Sequence, residues 1–242
     1  MIALNGVRKR LGDRQILDGL TFEVPDGMNY VLMGPSGSGK SVTLKHVIGI
    51  LAPDEGSVHV DGLDVPSMDQ RQLMDLRKRM GYLFQNGALI NWLTVADNVA
   101  LPLREHTRLS KGEVQDRVQE VLGMVGLAHA AAQFPPEISG GMKLRAGLAR
   151  ALVTKPEYVL YDEPNAGLDP IISHQIHELI VEVRERLGVT GVIVTHSRAC
   201  ATHCGDRIGI LENGRIAVEG TVAEMTASQH PLARAFLGGG AD

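Results

Sequence analysis

The sequence predicts an α/β fold built around a largely parallel sheet. Short apolar runs alternate with segments of helical period towards both ends of the chain, and a glycine-rich stretch joins one such run to a helix. A third observation refines the expectation. The middle, about residues 89–157, is helical and interrupts the alternation, so it reads as an inserted subdomain.

The elements follow in order. Leu20 to Val24 alternates apolar and polar and ends in the turn Pro25-Asp26-Gly27, which makes the N-terminal fifth a region of short strands and turns. Tyr30 to Met33 is a continuous apolar run, as in a buried strand. The glycine-rich stretch comes next, then a helix through Leu44, Val47 and Ile48. Ser57 to Val60 runs into Asp61-Gly62, a strand entering a hairpin. In the middle, Val114, Val118, Val121, Leu122 and Val125 recur at helical spacing and form one apolar face. Pro135-Pro136 breaks that pattern, and a second helix begins after Gly140-Gly141. Further on, Tyr158 to Tyr161 is a strand, and Ile172, Ile176, Leu179, Ile180, Val183 and Leu187 mark a helix. Val192 to Val194 is a buried strand, and Ile208 to Leu211 pairs with Ile216 to Val218 around Asn213-Gly214.

Composition excludes several classes. The chain has 242 residues, enough to bury a core without disulfide or metal support. Lys plus Arg number 24 against 28 Asp plus Glu, a formal charge of −4, which argues against a nucleic-acid binder working through a general basic field. Aromatic residues are 4%, too few for a wall of base-stacking rings. Cys200 and Cys204 are the two cysteines, too few for a secreted disulfide scaffold. Arg8, Lys9 and Arg10 fall where a signal peptide needs its apolar stretch, and the longest stretch without charged residues, Val121 to Pro136, holds His129, Gln133 and two prolines. A cytoplasmic chain is expected, one that reaches a membrane only through a partner or by lying on its surface.

Three motifs carry chemistry. Gly34-Pro35-Ser36-Gly37-Ser38-Gly39-Lys40-Ser41 matches G-x-x-x-x-G-K-[ST] between a strand and a helix. Glycines let backbone N–H groups curl around a phosphate chain, and the helix N-terminus adds partial positive charge. Lys40 is placed to reach the β- and γ-phosphates and the Ser41 hydroxyl to sit on Mg²⁺. The plain alternative is a chance glycine-rich turn, which both flanks oppose. The second motif is the apolar strand ending in Asp162-Glu163. Buried charge is costly, so two carboxylates at a strand end suit a site better than a solvated loop; Asp162 would hold Mg²⁺ and Glu163 would polarise the attacking water. Ile138-Ser139-Gly140-Gly141-Met142, before a helix carrying Lys143, Arg145 and Arg150, is the third: an anion site at a helix start, or simply a helix cap.

Read together, the set resembles the ATP-binding-cassette ATPases over nearly the whole chain. The order is that family's: the phosphate loop at 34–41, Gln85 after a strand, the signature at 138–142, Asp162-Glu163, Gly167-Leu168-Asp169, then Thr195-His196. The resemblance implies a P-loop ATPase core with an antiparallel β subdomain, residues 1–88 and 158–242 forming the catalytic part and 89–157 a helical signature subdomain. It implies ATP and Mg²⁺ as ligands, with Ser41, Gln85 and Asp162 at the metal. Gln85 would also sense a transmembrane partner. Ser139, Gly140 and Gly141 would clamp the γ-phosphate bound to the opposite protomer, Asp169 would line the dimer contact, and His196 would touch the γ-phosphate and the attacking water.

Two departures stand out. Family members carry an adenine-stacking aromatic some two dozen residues before the phosphate loop, and Leu11 stands at that place here. The signature begins with Ile138 and ends with Met142 instead of the common Leu and Gln. Leu83 to Leu89, Pro102 to Thr107, Met142 and the tail Pro231 to Leu237 are similar to the ATPase of the MCE-type (Mla-type) phospholipid transporters. That implies a homodimer peripheral to the cytoplasmic side of the inner membrane, a permease docked at the segment from Gln85 through Trp92, a periplasmic MCE-domain protein and a small cytoplasmic accessory subunit. Trp92 itself reads equally as core. Importers of other solutes, and soluble cassette ATPases acting on protein or nucleic-acid complexes, share the motifs. Finally, His196, Cys200, His203 and Cys204 share a helical face and have zinc-binding side chains, but His196 is claimed by the phosphate site and two cysteines packed on a sheet are commonly small core residues.

Overall fold

The strands of residues 1–238, the part of the chain described in the computed structural model, form two sheets. From the N-terminus come β1 (Ile2–Leu11), β2 (Arg14–Val24), β3 (Asn29–Met33), α1 (Lys40–Val47), β4 (Glu55–Val60) and β5 (Leu63–Asp64). β1, β2, β4 and β5 make an antiparallel sheet in the order β2-β1-β4-β5. Next are α2 (Gln70–Lys78), β6 (Met80–Leu83), α3 (Val95–His106), α4 (Lys111–Met124) and α5 (Gly140–Leu152). The chain then alternates through β7 (Tyr158–Asp162), α6 (Pro170–Leu187), β8 (Thr190–Thr195), α7 (Arg198–Cys204), β9 (Arg207–Glu212) and β10 (Arg215–Thr221), and ends in α8 (Val222–Ala227) and α9 (Pro231–Leu237).

The second sheet has the order β10-β9-β3-β8-β7-β6 and is parallel except for β10. The parallel strands β3, β7 and β8 are buried on both faces, which is why they read as unbroken apolar runs, whereas the edge strand β10 is largely exposed. Side chains alternate across the sheet. Val31, Met33, Val159, Tyr161 and Ile193 face a core shared with α3 to α9. Tyr30, Leu32, Tyr158, Leu160 and Val192 face a second core shared with α1 and the antiparallel sheet.

β1 and β2 span 10 and 11 residues, so the N-terminal region is a long twisted ribbon where short strands were expected. Register shifts around Gly6, which has φ +60°, break the period-two pattern and hide the length of β1. α2 escaped a reading of apolar period because Leu76 is its one fully buried residue. Its start was nonetheless written locally: Asp69 accepts from Gln72 N, and the Gln72 side chain accepts from Asp69 N, a reciprocal cap. Between β6 and β7 the described chain is helical, with α3, α4 and α5 packed on one another through Val99, Leu103, Val118, Val121, Leu144 and Leu148.

Candidate active site

Parallel order brings the C-terminal ends of β3, β8, β7 and β6 side by side, the edge of an open sheet where ligands bind. Register fixes the alignment. Met33 pairs with Thr195, and Val194 pairs with both Leu32 and Asp162. The four loops leaving these strands carry Gly34 to Ser41, His196, Glu163 and Gln85. Together with Arg14, Ile16 and Val42, residues Ser36, Gly37, Gly39, Lys40, Ser41, Gln85, Glu163 and His196 line one cavity of about 450 Å³.

The loop after β3 is shaped by what glycine lacks. A Cβ on Gly34 would sit 2.5 Å from the Leu211 carbonyl oxygen, and one on Gly39, at φ +108°, 2.9 Å from Leu17 Cδ2. α1 therefore starts from a left-handed Gly39 without a side-chain cap, leaving its first N–H groups for a ligand. Lys40 is 7% exposed. Its ammonium donates to the carbonyls of Gly34 at 2.8 Å and Pro35 at 3.1 Å and lies 3.6 Å from Glu163 Oε1. Ser38 Oγ is buried with no hydrogen-bond partner, the kind of orphan that a bound anion would satisfy through the hydroxyl proton.

The carboxylates are held differently. Asp162 Oδ1 accepts from Ser41 Oγ at 2.8 Å and its Oδ2 from the Tyr82 hydroxyl at 3.0 Å. Burial and the Asp162 charge push the Tyr82 phenol well up, so it stays a donor. Glu163 adopts φ +49°, a left-handed conformation that a non-glycine residue holds at a cost of order 1–3 kcal/mol. In return its N–H reaches the Val194 carbonyl and its Oε2 lies 2.9 Å from His196 Nδ1. Glu163 thus stands between the Lys40 ammonium and the His196 ring, in a strained backbone that aims it into the cavity.

Similarity to known proteins can be set beside this geometry. The family described as ABC transporter matches residues 17–166. The chain belongs to the ABC transporter family. It is 42% identical over 238 residues to the probable ribonucleotide transport ATP-binding protein mkl of Mycobacterium tuberculosis, spanning 98% of this chain and 66% of that protein. It is 40% identical over all 242 residues to the intermembrane phospholipid transport system ATP-binding protein MlaF of Escherichia coli, 90% of whose length it covers. Among solved structures, the dimeric post-hydrolysis state of the ATP-binding cassette MJ0796 bound to ADP and Pi superposes with a TM-score of 0.84 at 33% identity, covering 92% of this chain and 99% of that one. The two-sheet fold with helices is that of an ATP-binding cassette.

In this cassette the remaining candidate residues lie elsewhere. Leu11 ends β1 opposite Arg14, is 41% exposed, and does not line the cavity; Arg14 and Ile16, alternate residues on the returning strand, do. Ser139 caps α5 by accepting from Met142 N, and Asp169 caps α6 by accepting from the N–H groups of Ile171 and Ile172 at 3.0 Å. Neither Ser139, Gly140, Gly141 nor Asp169 reaches the cavity. They adjoin one another instead: a Cβ on Gly141 would lie 2.5 Å from Ile172 Cγ2, and one on Gly140 3.5 Å from Leu168 Cδ2.

Sequence reasoning gave Arg14 no role and took Arg150 only as part of a basic helix, missing its contact with the turn after Gln85. Asn86, Gly87 and Ala88 all have positive φ, at 61°, 75° and 44°, so the turn after Gln85 is strained. Arg150 on α5 donates to the Ala88 carbonyl at 2.8 Å and the Gly87 carbonyl at 2.9 Å. Gly87 also packs on α5: Cβ atoms there and on Gly147 would meet backbone at 2.4 and 2.7 Å. Burial pulls the Arg150 guanidinium below its usual range. The only signal in the sequence was the basic run along this helix. Trp92, beyond the turn, is 79% exposed, which removes the core reading.

Proposed function

We propose that this cassette is the ATP-hydrolysing, nucleotide-binding subunit of an MCE-type transporter that moves phospholipids. The observation that carries the hydrolytic part is the convergence of Lys40, the Ser41–Asp162 pair and the Glu163–His196 pair on one cavity. The phospholipid part is supported by the match to MlaF across the full 242 residues.

The chemistry follows from the side chains. Backbone N–H groups of residues 36–41 and the Lys40 ammonium bind the phosphate chain, Lys40 exchanging its carbonyl partners for phosphate oxygens. Ser41, Asp162 and Gln85 offer hard oxygen donors of the kind that hold Mg²⁺, which when bound supplies charge neutralisation on the β- and γ-phosphates. Glu163 orients a water for in-line attack on the γ-phosphorus and accepts its proton. His196, hydrogen-bonded to Glu163, fixes the carboxylate and faces the same phosphate. Arg14 and Ile16 offer a guanidinium plane and an aliphatic surface to the base where a ring would otherwise stack.

The start of α5, exposed at Ser139 and Gly140 with Gly141 buried behind them, lies outside the cavity, which supports a head-to-tail homodimer in which one copy's signature closes the other's site. Residues 89–157 would then move as the signature subdomain against the catalytic part. The exposed Phe84 and Trp92, on either side of the strained turn, are offered to a permease. No helix among the described residues is long and apolar enough to cross a membrane. The cassette would work at the cytoplasmic side of the inner membrane, in a complex with the permease, a periplasmic MCE-domain protein and a small cytoplasmic subunit, without nucleic acid.

A second reading, transport of ribonucleotides, rests on the name of the mycobacterial relative at 42% identity. One experiment separates the two. The complex is purified in detergent from its native membrane, its copurifying subunits and lipids are identified by mass spectrometry, and ATPase activity is measured in liposomes. A permease, an MCE-domain protein and tightly held phospholipid support the proposal. A complex without lipid, stimulated by ribonucleotides, overturns it.

A further inference from the structure

Helical spacing places His203 on one face with His196, Cys200 and Cys204, and the structure separates that set. Cys200 and Cys204 are 0% and 1% exposed and face the core, while His196 turns to Glu163. His203 instead meets α6. Its Nε2 lies 2.7 Å from Glu178 Oε1, and the same oxygen is 3.7 Å from His174 Nε2. The two imidazole rings stand edge to face with centroids 5.3 Å apart. One ligand atom from each of the three residues falls within 4.8 Å of the others.

We propose that His174, Glu178 and His203 form a binding site for a Zn²⁺-class divalent ion that ties α6 to α7. Two imidazoles and one carboxylate, with the remaining position left to water, are a ligand set that zinc takes readily. A tetrahedral ion with bonds of about 2.0–2.2 Å holds its ligands roughly 3.3–3.6 Å apart. Ligand atoms up to 4.8 Å apart would close by up to about 1.5 Å, and the His203–Glu178 pair at 2.7 Å would open by about 0.6–0.9 Å. Two ligands are presented at i and i+4 on α6, a helix of 18 residues, so they share a face and do not depend on a flexible loop. The third comes from a helix packed directly against it. All three side chains are open to solvent, with exposures of 65%, 59% and 34%, which gives the ion a path in.

A second feature sits beside the cluster. His177, one turn along α6, is 2% exposed, its Nε2 has no hydrogen-bond partner, and its ring lies 6.1 Å from that of His203. α6 is capped by Asp169, and α7 begins two residues after His196. The ion would therefore brace together the two helices that lead out of the nucleotide cavity's loops, although the site does not depend on any role of those loops.

The test is a titration of the full-length chain, stripped with chelator, with Zn²⁺ alone by calorimetry and with Co²⁺ by absorption. One ion per chain in the micromolar range is expected, with visible Co²⁺ bands and no near-ultraviolet thiolate band. His174→Ala and His203→Ala are expected to lose at least tenfold in affinity while keeping the wild-type melting temperature without metal; even outer partners of metal ligands are worth about 10–100-fold. Unchanged affinity in both variants, wild-type binding only in the millimolar range, or a thiolate band placing the ion on Cys200 and Cys204 would each overturn the site.

Discussion

Two helices of this cassette begin with small residues, and they are finished to different degrees. α1 starts at the bottom of a cavity: its loop is curled so tightly that Gly34 and Gly39 leave no room for a Cβ, and a nearly buried lysine lies across it. α5 starts on the surface, with Ser139 and Gly140 exposed and the serine turned back to cap its own helix. The first is a concave anion site built by one chain. On the proposed function the second is half a site. Similar local chemistry would then separate into binding, which one copy performs, and closure, which needs another. A set of variants can break that division or sharpen it.

The broadest effect is expected at Lys40, where binding and turnover are both lost. Lys40→Ala removes the one ammonium in the cradle, and nucleotide binding to a single chain should collapse along with hydrolysis, by about 10²–10³-fold or more. Equilibrium binding of a fluorescent ATP analogue measures it. Near-normal affinity would mean that backbone N–H groups alone hold the phosphates. Glu163→Gln is expected to act on the other step. It keeps the shape and the contact to His196 but removes the proton acceptor, so turnover should fall by about 10²–10⁴-fold while ATP still binds and accumulates a dimer. Gel filtration with ATP and a phosphate-release assay read both quantities.

Gly140→Asp addresses the exposed helix start. Its Cβ would meet Leu168 at an ordinary 3.5 Å, so the fold should tolerate it, unlike a change at Gly141. A carboxylate there repels the γ-phosphate of a facing copy. Single-chain ATP affinity should be unchanged, hydrolysis should drop to background, and no ATP-dependent dimer should form with Glu163→Gln in the same chain. If Gly140→Asp weakened ATP binding to the monomer, the two helix starts would not be divided as argued.

These sites differ in how readily the sequence discloses them. The phosphate loop, Asp162-Glu163 and Thr195-His196 are legible because each sits at the end of a strand that is buried on both faces and so reads as an apolar run. Parallel pairing of those runs suffices to bring their loops together. The bulged β1 and the thinly buried α2 were obscure because their patterns are broken or narrow. Arg14 was obscure for another reason. Whether it or Leu11 faces the cavity depends on which strand of a hairpin borders the loop, and a one-residue choice in a strand reverses the face. The cysteines and His203 show the same limit on a helix: sharing a face does not mean sharing a partner, since the core takes Cys200 and Cys204 and α6 takes His203.

The smallest effect expected, and the one that links the two helix starts, is at Arg150. Its guanidinium holds the carbonyls of Gly87 and Ala88, in a turn of three consecutive left-handed residues that follows Gln85. Gln85 borders the cavity of α1, whereas Arg150 belongs to α5. Arg150→Ala deletes two charge-assisted hydrogen bonds and frees a strained turn, at a cost of about 2 kcal/mol, or roughly 4–8 °C in Tm for a chain of this size. ATP affinity of the monomer should stay within a few-fold, because the phosphate cradle is untouched. Hydrolysis by the assembled transporter should fall more than hydrolysis by the isolated cassette, because the permease would act through the segment that this arginine secures to α5. Equal losses in the two assays would mean that Arg150 serves packing alone and that the turn does not carry the partner's position to the signature helix.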